Sequence, residues 1–228
     1  MKIEDLTLSV LAERKLTFFN SKRLVDWAVN AIDLGYNSDN LYILAGLDYE
    51  TTEERENYFW NCIQDLNIRF EISDDELINK YAISIANQAI NNKISIEFAF
   101  SQMLKIVEVT NCDSRYIVFC EIDEDLSYLK FDGSILYNKG LTLENSNNFI
   151  LEELKIFLLM EKLNIPAELR KSRFCEDCKQ LVFPGLKIKY KLGIPFKSFV
   201  SVCDKCGSKK FRNYHNEGFM NFILNNYK

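Results

Sequence analysis

The chain has 228 residues, with 28 Lys or Arg, 33 Asp or Glu and one His, a net charge of −5, and 47% hydrophobic content. That apolar share, in a chain long enough to bury a sizeable core, excludes disorder over most of its length. Gly and Pro number only 8 and 3, against roughly 12% of residues in average usage, which disfavours turn-rich all-β folds and collagen-like repeats and favours a mainly helical body.

The opening residues Met1-Lys2-Ile3-Glu4-Asp5 are acidic at once and no apolar h-region follows, so a cytoplasmic location is expected. No apolar run, Ile156-Phe157-Leu158-Leu159-Met160 among the longest, approaches the ~18 residues a membrane span needs. Leu24, Val25, Ala28, Val29 and Ile32 then form a stripe at helical spacing, ended by Gly35. Thr51 with Glu54, and Ser73 with Glu76, match the capping box that starts a helix. Behind the second box Leu77, Ile78, Tyr81, Ala82, Ile85, Ala86, Ala89 and Ile90 follow the i, i+3, i+4, i+7 template, and Phe98, Phe100, Met103, Leu104 and Val107 make a further stripe. Short Asn- and Asp-containing connections favour antiparallel neighbours, so residues from about 7 to 110 predict an antiparallel helical bundle.

Residues 114–148 carry mixed signals. Tyr116-Ile117-Val118-Phe119 favours a strand, whereas Glu121 to Asp125 favours a loop or a helix start. Asp132-Gly133 suits either a hairpin or a helix-ending turn. A helix resumes from about Asn148 to Leu163, and Asn164-Ile165-Pro166 stops it, because the residue before proline is pushed out of the helical region. The expected domains are therefore a helical domain over 1–166 and a small β-rich module with a C-terminal helix over 167–228.

The strongest signal is a pair of C-x2-C units, Cys175 with Cys178 and Cys203 with Cys206, separated by 24 residues. Two thiolates on one tight turn can face one ion, and two such turns supply the four sulfurs that tetrahedral zinc prefers. Iron fits the same ligands. Such a site is closed to water, so the metal is expected to be structural, replacing a core in a segment too short to build one. Leu186, Ile188, Tyr190 and Leu192 alternate with Lys187, Lys189 and Lys191, the period-2 mark of a strand with one wet face, and Phe196 to Val202 reads as a second strand. Gly193-Ile194-Pro195 breaks the segment between them where a hairpin would turn. Cys62, Cys112 and Cys120 sit in mainly apolar stretches and are expected to be buried packing residues. The segment from 172 to about 212 resembles the zinc-ribbon family, which implies zinc ligation by Cys175, Cys178, Cys203 and Cys206.

Charge is divided along the chain. Residues 171–215 hold eleven Lys or Arg against three Asp or Glu, a balance of +8, which leaves −13 for the rest. Four thiolates and one divalent zinc contribute −2, so the module stays near +6 when metallated. Lys187, Lys189, Lys191, Lys197, Lys209, Lys210 and Arg212 are candidates for phosphate contacts, with Tyr190, Phe196 or Phe199 available for stacking. The plainer reading is that alternating lysines are the solvated face of a strand and guard its edge. In the acidic part, Asp74-Asp75-Glu76 and Asp123-Glu124-Asp125 are either ordinary carboxylates near helix N-termini or a surface for a basic protein partner.

No catalytic constellation emerges. The single histidine, His215, stands in a Tyr-His-Asn context, and the chain lacks G-x-S-x-G, G-x-G-x-x-G, a P-loop, H-E-x-x-H and the deaminase H-x-E signature. No enzyme activity and no small-molecule substrate are expected. The pattern from Leu24-Val25-Asp26-Trp27-Ala28 through Gly35-Tyr36, Asn40 to Leu47, Tyr81-Ala82 with Ile85-Ala86, and Lys93-Ile94-Ser95 resembles small helical proteins of bacteria, some of them similar to immunity proteins encoded near polymorphic toxins. That resemblance, over about residues 20–128, implies a non-enzymatic module whose acidic surface binds a protein partner such as a basic toxin. The alternative is a nucleic-acid-binding or regulatory protein that uses the basic ribbon.

Overall fold

A computed structural model of the protein describes residues 2–69, 71–170, 172–190, 197–212, 221 and 223–225. It is mainly helical, with a small amount of sheet near the C-terminus. Two compact units are present, Met1–Asp113 and Ser114–Lys228. No helix among the described residues is long and apolar enough to cross a membrane.

The first unit contains α1 (Ile3–Glu13), α2 (Lys22–Asp33), α3 (Asp39–Ala45), α4 (Thr52–Asp65), α5 (Asp74–Ile90) and α6 (Ile96–Val109). The starts of α3 to α6 are fixed by hydroxyls. Ser38, Thr51, Ser73 and Ser95 each accept a hydrogen bond from the backbone N–H three residues on, satisfying a donor that the first helical turn leaves orphaned. Thr51 and Glu54 close the full capping box. At Ser73 the box is half used, because the Glu76 carboxylate reaches Lys80 instead, at 2.8 Å.

The stops explain the asparagine-rich, glycine-poor composition. Asn67, Asn92 and Asn111 end α4, α5 and α6 in the left-handed conformation, as Gly35 ends α2. In each case the next residue's N–H bonds a carbonyl five residues back, as in Ile68 to Ile63 and Lys93 to Gln88. This is the closing bond of a Schellman motif. Asparagine, whose short polar side chain tolerates that region, does the work usually given to glycine.

Apolar residues of α1 to α4 meet in one core. Trp27 packs edge-on to Phe59 with centroids 4.9 Å apart, and its indole N–H donates to Thr7 Oγ1 at 3.0 Å. Thr7 in turn donates to the Ile3 carbonyl at 2.7 Å, so the buried indole leaves no polar atom unsatisfied. The buried Arg55 guanidinium donates to the carbonyls of Leu47 and Asp48 and to Ser21 Oγ, tying the α3–α4 connection to the start of α2.

The second unit holds α7 (Ile117–Phe131), α8 (Ser146–Lys162), the short α9 (Ala167–Arg170) and five strands. Residues 117–119 therefore lie in a helix and not in a strand. Helical spacing puts Tyr116, Phe119 and Ile122 on one buried face, where the first two rings meet Phe157 of α8. Strand alternation would have sent Tyr116 and Phe119 to opposite sides. Asp132-Gly133 ends α7, with Gly133 in the left-handed region and its N–H donating to the Tyr128 carbonyl.

Asp125 requires a correction as a surface residue. It is fully buried, and its carboxylate accepts from the backbone N–H groups of Leu136, Tyr137 and Asn138 and from the Asn138 side chain, at 2.6 to 3.1 Å. It organises the loop after α7 and is not offered to a partner. Cys112 departs from expectation in the other direction. Two successive left-handed residues, Asn111 and Cys112, carry the chain off the buried stripe of α6, and the thiol is exposed.

β1 (Arg173–Cys175) lies between β2 (Leu181–Val182) and β5 (Phe211–Arg212), antiparallel to both. β3 (Gly185–Tyr190) and β4 (Lys197–Val202) form a separate antiparallel hairpin. Phe174 of β1 shares a buried cluster with Met160, Ile165 and Ile223, so Pro166 falls inside this unit and not at its edge. Residues 221 and 223–225 are helical, and the rest of the expected C-terminal helix lies outside the described residues.

Glu153 of α8 is only 2% exposed. Burial, reinforced by Glu121 and Glu152, pushes its carboxyl up to about 8 from an ordinary 4.5. A carboxyl that holds its proton more tightly when folded stabilises the fold below the unfolded value. That contribution is lost as pH rises from about 4.5 through about 8. The expected outcome is a thermal midpoint for the second unit that falls across this window, with Glu153→Gln flattening the fall. An equally steep fall in the variant would assign the dependence to other groups.

Candidate metal centre

Two short turns deliver the four sulfurs. The first leaves β1 at Cys175, passes Glu176 and Asp177 to Cys178, and re-enters sheet at β2. The second leaves β4 at Cys203 and passes Asp204 and Lys205 to Cys206. Their backbones match bond for bond. In the first, Lys179 N–H donates to the Cys175 carbonyl at 2.9 Å and Cys175 N–H to the Gln180 carbonyl at 2.9 Å. In the second, Gly207 N–H donates to the Cys203 carbonyl at 2.8 Å and Cys203 N–H to the Ser208 carbonyl at 2.7 Å. Each turn closes on a left-handed residue directly after its second cysteine, Lys179 at φ 57° and Gly207 at φ 74°. Glycine takes that conformation freely, whereas lysine there is uncommon.

The result is a compact four-sulfur cluster. All four Sγ atoms lie within 4.8 Å of one another. Cys175 and Cys206 are 3.5 Å apart and Cys178 and Cys203 are 3.8 Å apart. A disulfide requires about 2.05 Å, and all four cysteines are free. Four sulfurs at about 2.3 Å from a tetrahedral ion would stand about 3.8 Å from each other. The donor set and its spacing therefore fit one metal ion, the arrangement expected from the two C-x2-C units.

The surroundings prepare the sulfurs for charge. The backbone N–H of Cys178, helped by that of Asp177, points at Cys175 and holds its thiol down to about 6. Burial, together with the three neighbouring thiols, pushes Cys178 up to about 12. The Cys175 thiolate therefore forms readily, and a cation among the sulfurs would favour ionising Cys178 as well. Cys175 and Cys203 are buried with Val182, and Phe211 and Cys178 pack against them, while Cys206 reaches solvent. Outside the cluster, Lys205 Nζ donates to Gln180 Oε1 at 2.6 Å, linking the two turns. Glu176 N–H donates to the Lys210 carbonyl at 3.0 Å, and Lys210 Nζ stands 3.4 Å from Asp177.

The other candidate residues are dispersed. Lys187, Lys209 and Lys210 are exposed. Lys189 falls on β3, Lys197 and Phe199 on β4, and Arg212 on β5, while Lys191, Phe196 and His215 lie outside the described residues. The face of β3 expected to be dry is wet: Leu186, Ile188 and Tyr190 are 70%, 50% and 59% exposed. Among the described residues the hairpin strands pair only with each other, and Val202, at the Cys203 end, is buried. In the first unit Asp74, Asp75 and Glu76 are exposed in the first turn of α5, with Asp74 bridged to Lys15 at 2.8 Å. Asp123 and Glu124 are exposed on α7.

The chain matches no family model, no curated protein and no solved structure.

Serine in place of Cys175 or Cys203 removes one charged ligand from a closed set. Elemental analysis of the purified variants should show the metal lost, with loss of structure confined mainly to the region after Pro166. Full metal content in either variant would refute the four-ligand assignment.

Proposed function

We propose that the four cysteines hold a structural zinc ion and that the chain is a non-enzymatic binding protein, an immunity-type inhibitor or adaptor. Zinc suits a tetrahedral, redox-silent, four-thiolate site, and a site with all four positions taken by protein leaves none for a substrate or a water nucleophile. The metal on this reading builds the module and performs no reaction.

The partner is a protein with a basic surface. The observation that carries this is the run Asp74-Asp75-Glu76, three exposed carboxylates in the first turn of α5. Their visible ion pairs, Asp74 with Lys15 and Glu76 with Lys80, are themselves solvent-exposed, and such pairs contribute little, about 0–1 kcal/mol each. A basic partner could displace those lysines at small cost. The excess of acid outside residues 171–215 would speed the encounter. The resemblance to immunity proteins supports the same choice, with a basic toxin as the partner.

The test combines affinity capture from host lysate, with and without nuclease, and a triple variant Asp74→Asn, Asp75→Asn, Glu76→Gln. These neutral substitutions weaken the helix dipole interaction by only about 0.3–1 kcal/mol each, so the fold survives. A stoichiometric protein that resists nuclease and is lost in the variant is the expected result. Capture that depends on nucleic acid, or that is unchanged in the variant, would contradict the acidic-surface reading.

A further inference from the structure

We propose that the β3–β4 hairpin is a strand acceptor: the outer edge of β3 pairs with an extended, acidic protein segment whose apolar and acidic residues alternate. The reasoning starts from the backbone. β3 and β4 pair in unbroken register from Gly185 opposite Val202 to Tyr190 opposite Lys197. Among the described residues neither strand pairs with anything else. Within the described residues each has an outer edge whose N–H and C=O groups are aligned for a third strand. A two-stranded sheet alone is marginal in water, and a third strand with an apolar face is what usually makes such a sheet secure.

The side chains define what that strand must look like. Positions 186, 188 and 190 share one face of the pleat and positions 187 and 189 the other. On the first face Leu186, Ile188 and Tyr190 stand 70%, 50% and 59% exposed, an apolar row at a spacing that an added strand would match residue for residue. Lys187 is exposed on the opposite face, and residues 185–202 carry four lysines and no carboxylate. Cross-strand neighbours of opposite charge attract and like charges repel. A second copy of this hairpin would set lysine against lysine, so the same residues that block self-pairing select an acidic strand. Single-stranded nucleic acid satisfies the lysines but covers the row poorly. Two of its three members are aliphatic, and base stacking depends on planar rings. A paired strand covers all three and meets the backbone edge as well.

This inference rests on reading the chain as a protein-binding protein, but it uses a different surface from α5. The probe is a fluorescent peptide alternating glutamate and valine, long enough to span the six residues of β3, titrated into the full-length metal-loaded protein. Controls are a peptide of the same composition in block order, the alternating peptide N-methylated at every second amide, and a labelled oligothymidylate. The expected result is binding of the alternating peptide alone. That binding should weaken with salt and fall at least about tenfold in Lys187→Glu and in the double variant Leu186→Ser, Ile188→Ser. Metal content reports whether each variant is folded, and if the double variant loses its metal, Lys187→Glu decides. Equal binding of the block or methylated peptide, or no binding of the alternating one, overturns the proposal. Tight oligothymidylate binding without peptide binding overturns it in favour of nucleic acid. Either failure leaves the α5 reading standing, because the α5 variant leaves the hairpin unchanged.

Discussion

Four sulfur atoms within 4.8 Å of one another cannot all ionise without a cation among them, and the C-terminal module depends on that constraint. Its sheet elements are short: β2 and β5 have two residues each and β1 has three. Among the described residues the buried cluster around the cysteines adds Val182, with Phe211 packed against it. Apolar area of that size cannot offset the cost of ordering some forty residues, at about 1–2 kcal/mol of backbone entropy each. A metal bound by four thiolates can, since its binding free energy becomes folding free energy. The rest of the module follows from where the two turns must sit. β1 brings Cys175 and β4 brings Cys203, and Phe174, one residue before the first ligand, anchors the site to α8 through Met160 and Ile165.

Such a construction leaves the β3–β4 hairpin unusual in one respect. It is fixed at the end where Val202 runs into Cys203, yet Leu186, Ile188 and Tyr190 stay half or more exposed. In a domain stabilised by hydrophobic burial this would be wasteful. In one stabilised by a metal, as proposed here, a row this exposed can serve another use, and the lysines beside it bias what can approach. The helical unit shows the opposite economy. Its core is satisfied internally, down to the Trp27 to Thr7 hydrogen bond, and its distinctive surface is carboxylate.

Much of this was legible in the sequence, for physical reasons. The four-cysteine cluster was readable because two C-x2-C turns restrict the geometry so strongly that spacing alone implies convergence. α2, α5 and α6 were readable because their apolar residues keep helical period over three or more turns, with the hydroxyl cap at Ser73 marking the start of α5 and the glycine stop at Gly35 the end of α2. α7 was not, because Tyr116-Ile117-Val118-Phe119 has the composition of a strand and only packing against Phe157 decides between periods. The role of Asp125 was hidden as well: its partners lie eleven to thirteen residues away in a loop, and nothing local separates it from its exposed neighbours Asp123 and Glu124. The wet face of β3 was misread because alternation says which residues share a side, not which side is covered.

The most direct test is amide hydrogen exchange on the full chain with and without a strong zinc chelator. The account predicts that removing the metal erases protection across β1 to β5, from Arg173 to Arg212, while the helices of Met1–Asp113 exchange as before. Protection of the strands that is unchanged when metal analysis shows the ion gone would contradict the claim that a metal centre holds this module together.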